Sequence, residues 1–242
     1  MSKSSIVMER DFRLFFSDRF LLVVMFVNFT IDLGVSGLSL SAMITGFNYF
    51  LYIAPGANLI TATVAAFQSG RDIWRERVLT DVQPYLLTLP VSKTKFAFSR
   101  LLSGMLRTTI TIIPGTVVIA VLYRLSVPLF FVGLLIMWIY SAAVIGLSVV
   151  TAALVSGLEL FTTIRSTVQV YLSFFSTQFY PPGILPKPVL VVSDFNPMTW
   201  AVQSFRDLQP GNVDVALLVP LTALSSALLL AGYYFYRRSM EY

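Results

Sequence analysis

An acid in the middle of an apolar run is the first residue whose type and place invite chemistry. Asp32 lies near the centre of the run from Leu21 to Leu40, with Asn28, Ser36 and Ser39 at helical spacing on a similar face. Burying an ionised carboxylate in hydrocarbon costs at least about 2.5 kcal/mol even on the lenient insertion scale. Asp32 is therefore expected to face protein or water. Its role stays open between lining a translocation path or subunit seam, partnering a neighbouring helix, and standing protonated. A second polar set, Ser166, Gln169, Ser173 and Ser176, repeats at helical spacing between Thr162 and Tyr180. Such a stripe either packs one helix against another or lines a wet pathway or dimer interface.

Most other catalytic chemistry is excluded. The sequence has no cysteine and no histidine, which removes disulfides, thiolate nucleophiles, haem histidines and the usual zinc ligand sets. A phosphate-binding loop of the Walker kind ends in Gly-Lys-Ser/Thr, and no Gly-Lys pair occurs anywhere in the chain. The chain is expected to bind no cofactor and to be no enzyme by itself. If ATP drives it, ATP and Mg are held by a separate subunit.

The elements that must position these residues are membrane spans. Of 242 residues, 56% are hydrophobic and only 12% charged, with mean hydropathy +0.78, whereas a soluble domain carries about a quarter charged residues. The expected fold is an all-α polytopic membrane protein, one transmembrane domain over 1–242 with room for six spans of about 20 residues. These are Leu21–Leu40, Asn48–Ser69, Leu101–Tyr123, Val127–Val155, Thr162–Tyr180 and Val213–Tyr236. Pro55-Gly56 and Pro114-Gly115 are expected to kink the second and third spans, with Asn58 available to a freed backbone group. Arg107 lies within snorkelling reach of the start of the third.

Residues 5–20 read as an amphipathic helix on the membrane surface, with Met8, Phe12, Phe15, Phe16 and Phe20 on one face and Arg10, Asp11, Arg13 and Asp18 turned away. The plainer reading is a lead-in to the first span. Glu9, Asp11 and Asp18 argue against a cleaved signal peptide. Residues 181–212 stay apolar but are broken by Pro181, Pro182, Pro186, Pro188, Pro197 and Pro210. Two short re-entrant helices are expected there, dipping into the outer leaflet, one of them opened by the Asn196 cap and Pro197.

With the amino terminus inside, 14 of the 17 basic residues fall on the cytoplasmic side, leaving Arg124, Lys187 and Arg206 outside. The positive-inside rule is met, and six spans return both termini to the cytoplasm. The net charge of +5 then reflects loop position and implies no nucleic-acid partner. The polar interval 71–100, RDIWRERVLTDVQPYLLTLPVSKTKFAFSR, becomes a cytoplasmic loop. In it Asp81 caps a helix of one or two turns with Pro84 in its first turn, and Tyr85, Leu86, Leu87 and Leu89 form an apolar knob ending at Pro90. An apolar knob ringed by charge asks for a protein partner; the alternative is that it folds back on the membrane.

Three stretches carry a likeness: Tyr49 to Leu59 (YFLYIAPGANL), Leu86 to Ser92 (LLTLPVS) and Phe179 to Asp207 (FYPPGILPKPVLVVSDFNPMTWAVQSFRD). In their order within a six-span frame, the chain resembles the ABC-2 type permeases, the membrane halves of bacterial and archaeal ABC exporters. It departs from them before the paired leucines, where Asp81, Val82, Gln83 and Pro84 replace the usual Gly-Thr and acidic residue. The resemblance implies a multi-pass protein of a prokaryotic plasma membrane, paired with a second copy or a paralogue and seated in lipid above two ATPase subunits. Arg10 and Arg13 of the surface helix, with Asp81, Tyr85, Leu86, Leu87, Leu89 and Pro90, would seat in the ATPases. Substrate would leave between the permeases past Asn28, Asp32, Tyr52, Asn58, Gln169, Ser173 and Phe174. The aromatic residues Tyr49, Tyr52, Tyr171, Phe174 and Phe175 suit an amphipathic drug or lipid-linked molecule. Two other readings compete: an ATP-independent transporter or channel using Asp32, although no inverted hydropathy repeat is visible, and a membrane scaffold or immunity-type protein.

Overall fold

Backbone groups in hydrocarbon have no water to bond, so apolar runs of this length fold as helices that satisfy those groups internally. The computed structural model describes residues 9–11, 13–16, 19–44, 46–80, 82–88, 92–209 and 211–240, and for 19–22 and 87 the backbone alone. No strand occurs among the described residues. Residues 9–11 and 13–16 are helical. Helix α1 (Arg19–Ile31) passes through a π-helical turn (Asp32–Ser36) into α2 (Gly37–Ser41). Helix α3 (Tyr49–Trp74) likewise runs into a π-helical turn (Arg75–Leu79), and α4 (Gln83–Leu87) is short. Then come α5 (Lys93–Tyr123), α6 (Val127–Leu154), α7 (Leu158–Phe174), a 3-10 turn (Pro182–Ile184), α8 (Lys187–Asp194), α9 (Pro197–Arg206) and α10 (Val215–Arg238).

Among the described residues, five helical stretches of 18 residues or more are apolar enough to cross a membrane: Val23–Ser41, Tyr49–Leu79, Lys93–Tyr123, Val127–Leu154 and Val215–Arg238. The expected span Thr162–Tyr180 falls on the 17-residue α7, which carries Glu159 and Arg165, stops at Phe174 and lies beside α3, with Phe161 against Trp74. It stops there because side chains from elsewhere take the carbonyls that a further turn would have used. Asn196 bonds those of Tyr171, Leu172 and Phe175, and Tyr52 that of Thr177. The two short helices expected between 181 and 212 are present as α8 and α9.

Most of α3 is buried, against α5, α6, α1, α7 and α9. The most extensive helix pair is α6 with α10, where small residues let backbones approach. A Cβ on Gly232 would lie 2.9 Å from the Gly146 carbonyl oxygen, and one on Gly146 would overlap the backbone of Leu228. Ser225 Oγ adds a hydrogen bond to the Ile139 carbonyl at 2.7 Å. Both Pro-Gly pairs sit inside helices, at Pro55 in α3 and Pro114 in α5. A Cβ on Gly115 would overlap Asn58, and one on Gly56 would overlap Gln178. Asn58 donates to the Ile112 carbonyl at 3.1 Å and to Thr116 Oγ1 at 3.0 Å. It therefore serves the neighbouring proline-containing helix α5, not its own.

The interval 71–100 is less of a loop than its charge predicts. Helix α3 carries through it as far as Leu79, and α5 begins at Lys93 behind a Ser92 cap. The charges stay in helices because they find partners on the facing helix.

Candidate functional site

Asp72 and Glu76 stand four residues apart on α3 and its π turn, and Arg100 and Arg107 two turns apart on α5, so each pair shares a helix face. Since α3 packs on α5, the two faces meet. Arg107 pairs with Asp72. Arg100, only 5% exposed, reaches Asp11 at 2.6 Å and Glu76 at 2.8 Å. Arg10 reaches the same two carboxylates at 2.9 and 3.0 Å. Phe15 is buried, with the Arg107 guanidinium 4.9 Å from its ring centre. These contacts lock the first helical segment to α3 and α5.

That lock corrects the amphipathic reading. Arg10 and Asp11 are not turned away from the protein; they face it, because buried counter-charges await them there. Phe16 is exposed, and Arg13 pairs with Glu9 one turn away at 2.6 Å on the exposed side. Met8, Phe12 and Asp18 lie outside the described residues, as does the side chain of Phe20.

In α4, Pro84 occupies the first turn as expected. Tyr85 is 74% exposed, whereas Leu86 packs partly buried against the core. Asp81, Leu89 and Pro90 lie outside the described residues, as does the side chain of Leu87.

Along the middle of the bundle the expected polar residues separate. Asp32 sits half-buried in the π turn of the first span and makes no hydrogen bond or ion pair among the described residues. Asn28, one turn earlier, is exposed. Asn58 is 1% exposed and sealed between α3, α5 and α6, with Met137 Sδ as a further partner at 3.0 Å. Ser166 is exposed and Gln169 half-buried, while Ser173 and Ser176 are buried. The stripe on α7 is thus a packing seam at one end and open at the other. Phe174 is exposed, its ring 5.6 Å from that of Phe179.

At the other end of the bundle Arg206 closes α9. Its guanidinium donates to the carbonyls of Tyr52 at 2.9 Å, Thr177 at 2.9 Å and Gln178 at 3.0 Å, and lies 3.4 Å from the centre of the Tyr52 ring. The Tyr52 hydroxyl donates to Thr177 at 2.7 Å, and that of Tyr49 to Phe179 at 2.8 Å. Tyr52 is therefore half-buried and engaged in a clamp that ties α3 to the turn after α7. Beside it, burial pushes the Asp207 carboxyl above its ordinary value, aided by Asp214 and opposed by Arg206.

Asn196 does two jobs. Its Oδ1 accepts from Met198 N–H at 2.9 Å, opening α9, while Nδ2 bonds the carbonyls that end α7. Asp caps a helix as well as Asn does, so Asn196→Asp would be neutral if capping α9 were its only work. The carbonyls of α7 would instead meet a carboxylate, and the expected loss is about 2 kcal/mol, read as a lower melting temperature in detergent.

The spacing of Asp72, Glu76, Arg100 and Arg107 was a signal that sequence reasoning passed over. Nothing local marks Arg206 as a three-carbonyl donor, or pairs Gly146 with Gly232.

A bundle of long apolar helices, with its charged clusters gathered at the ends, is that of a multi-pass membrane protein. Residues 3–209 match the family model described as ABC-2 type transporter, and the chain belongs to that family. It is the permease component of an ABC transporter, and permeases of this family typically work with an ATPase subunit. That membership supports a transport role over the scaffold reading. No curated protein matches the sequence in the comparison made.

Proposed function

We propose that this permease carries an amphipathic or lipid-linked molecule outward across a prokaryotic plasma membrane, as a dimer with a second copy or paralogue, with both termini in the cytoplasm and the 17-residue α7 making the sixth crossing. A partner ATPase binds ATP and Mg and drives it. The observation that carries this reading is the family match over residues 3–209. The basic residues support the orientation. Tyr85, 74% exposed on a short helix between two charged helix ends, supports α4 as the contact for the ATPase. The exposed faces of α1 and α7, with Asp32 and Gln169, support a seam between permeases along which substrate moves.

Tyr85→Asp combined with Leu87→Asp tests the coupling. The expected result is loss of ATPase co-purification, or of its stimulation by the permease, by about tenfold, with an unchanged melting temperature. Leu86 is left intact because it packs on the core. Full co-purification together with full stimulation in the double variant would show that the ATPase sits elsewhere.

A further inference from the structure

Beneath the first helical segment the structure leaves a cavity of about 190 Å³ between that segment, α3 and α5. Leu14, Phe15 and Ile73 form an apolar wall, and Ser103, Arg75 and Arg107 are among its polar lining. Two of those polar atoms are buried without a partner, Arg107 Nε and Ser103 Oγ. Leaving a buried donor unmet costs about 1–3 kcal/mol, so both atoms point to an occupant. Ser103 is only 6% exposed, which keeps bulk water from serving it. Arg75, at the rim, has no ion pair among the described residues.

The charge balance defines that occupant. Arg10, Arg75, Arg100 and Arg107 stand around three carboxylates, Asp11, Asp72 and Glu76. Each carboxylate already holds an ion pair, so one positive charge and two unmet polar groups are left over. A metal cation does not fit, since the described residues bring no three His, Cys, Asp or Glu side chains together to hold one, and the surplus charge is positive. A lone water would meet one or two atoms but not the charge, and the space admits more than one. A monoanion with several acceptor oxygens meets all three. Guanidinium groups and hydroxyls are the usual partners of phosphate. Leu14, part of the cavity wall, is itself 56% exposed and offers an apolar way out for an acyl chain.

We propose that this cavity binds the phosphate group of a monoanionic phosphodiester, the headgroup chemistry of a phospholipid, through Arg107 Nε, Ser103 Oγ and the Arg75 guanidinium. The site depends on neither the direction of transport nor the substrate. A lipid held there would sit under the ion-paired helix and report the membrane surface to it.

The test titrates the purified full-length chain in mild detergent with phosphatidylglycerol, with diacylglycerol of the same chains, and with glycerol phosphate, following the melting temperature. Arg75→Gln and Ser103→Val are the variants, since Arg107→Gln would also strip Asp72 of its partner. Phosphatidylglycerol is expected to raise the melting temperature and diacylglycerol to leave it unchanged. Each variant should weaken binding about tenfold, the effect of losing one charge-assisted hydrogen bond. If glycerol phosphate acts at the same concentration as the lipid, the phosphate site stands and its source is a soluble ester. Equal shifts with phosphatidylglycerol and diacylglycerol, or wild-type affinity in the two variants, would overturn the proposal.

Discussion

Arg100→Ala is expected to destabilise the folded chain by about 3 kcal/mol and to release its first helical segment. Removing one member of a buried ion pair costs about 3–5 kcal/mol, because the remaining charge stays desolvated. The lower end applies here, since Arg10 still reaches both Asp11 and Glu76. The sequence has no cysteine, so Phe15→Cys gives a single thiol at a position only 3% exposed. Thiol labelling should be slow with Arg100 present and at least tenfold faster with Arg100→Ala. The same reasoning makes the triple change Asp11→Asn, Glu76→Gln and Arg100→Met far milder than the single one, because it leaves no uncompensated buried carboxylate and strands only Arg10, whose side chain is 28% exposed. A triple variant as labile as Arg100→Ala would mean that side-chain packing, not charge, holds the segment.

Arg206→Ala is expected to have the other large effect, about 3–5 kcal/mol. Three backbone carbonyls lose a donor at once; Thr177 keeps the Tyr52 hydroxyl, and a carbonyl left buried and unmet costs about 1–3 kcal/mol. The Tyr52 ring loses its cation as well, at about 0.5–2 kcal/mol. These contributions overlap and do not sum in full. Arg206→Lys separates fork from charge: an ammonium keeps the charge over Tyr52 but cannot span three carbonyls. It should recover less than half of the loss, measured by thermal unfolding in the same detergent. Full recovery with lysine would show that charge alone matters at this end of the bundle.

Much of this architecture was legible from hydropathy, because in a bilayer the length of an apolar run and its satisfied backbone are one constraint. The start of α9 was legible for a local reason, since Asn196 and Pro197 are a cap and a first-turn proline whatever surrounds them. The end of α7 was not. It is set by Asn196, Tyr52 and Arg206, residues distant in sequence that collect its carbonyls, and no window on 158–180 contains them. The inward direction of Arg10 and Asp11 was missed for a related reason. Periodicity assigned the polar face of that segment to water, whereas the partners that draw it inward are Glu76 and Arg100. Asn58 shows the same limit: its side chain crosses to α5 beside Gly115.

The union of α3 with its π turn has a mechanical side. Tyr49–Leu79 is one helical stretch of 31 residues, about 46 Å long at 1.5 Å per residue, against a hydrocarbon core of about 30 Å. It is pinned near one end by the Tyr52–Arg206 stack and near the other by the Glu76–Arg100 pair. If such a rod pivots about Pro55 without bending, its two arms are unequal, about 9 Å on the Tyr49 side and about 36 Å on the Leu79 side. The leverage is then about four to one, so a shift of about 4 Å at Leu79 becomes about 1 Å at Tyr49. A coarse stroke at the charged end would be geared down to a fine, forceful adjustment among the aromatic rings at the other.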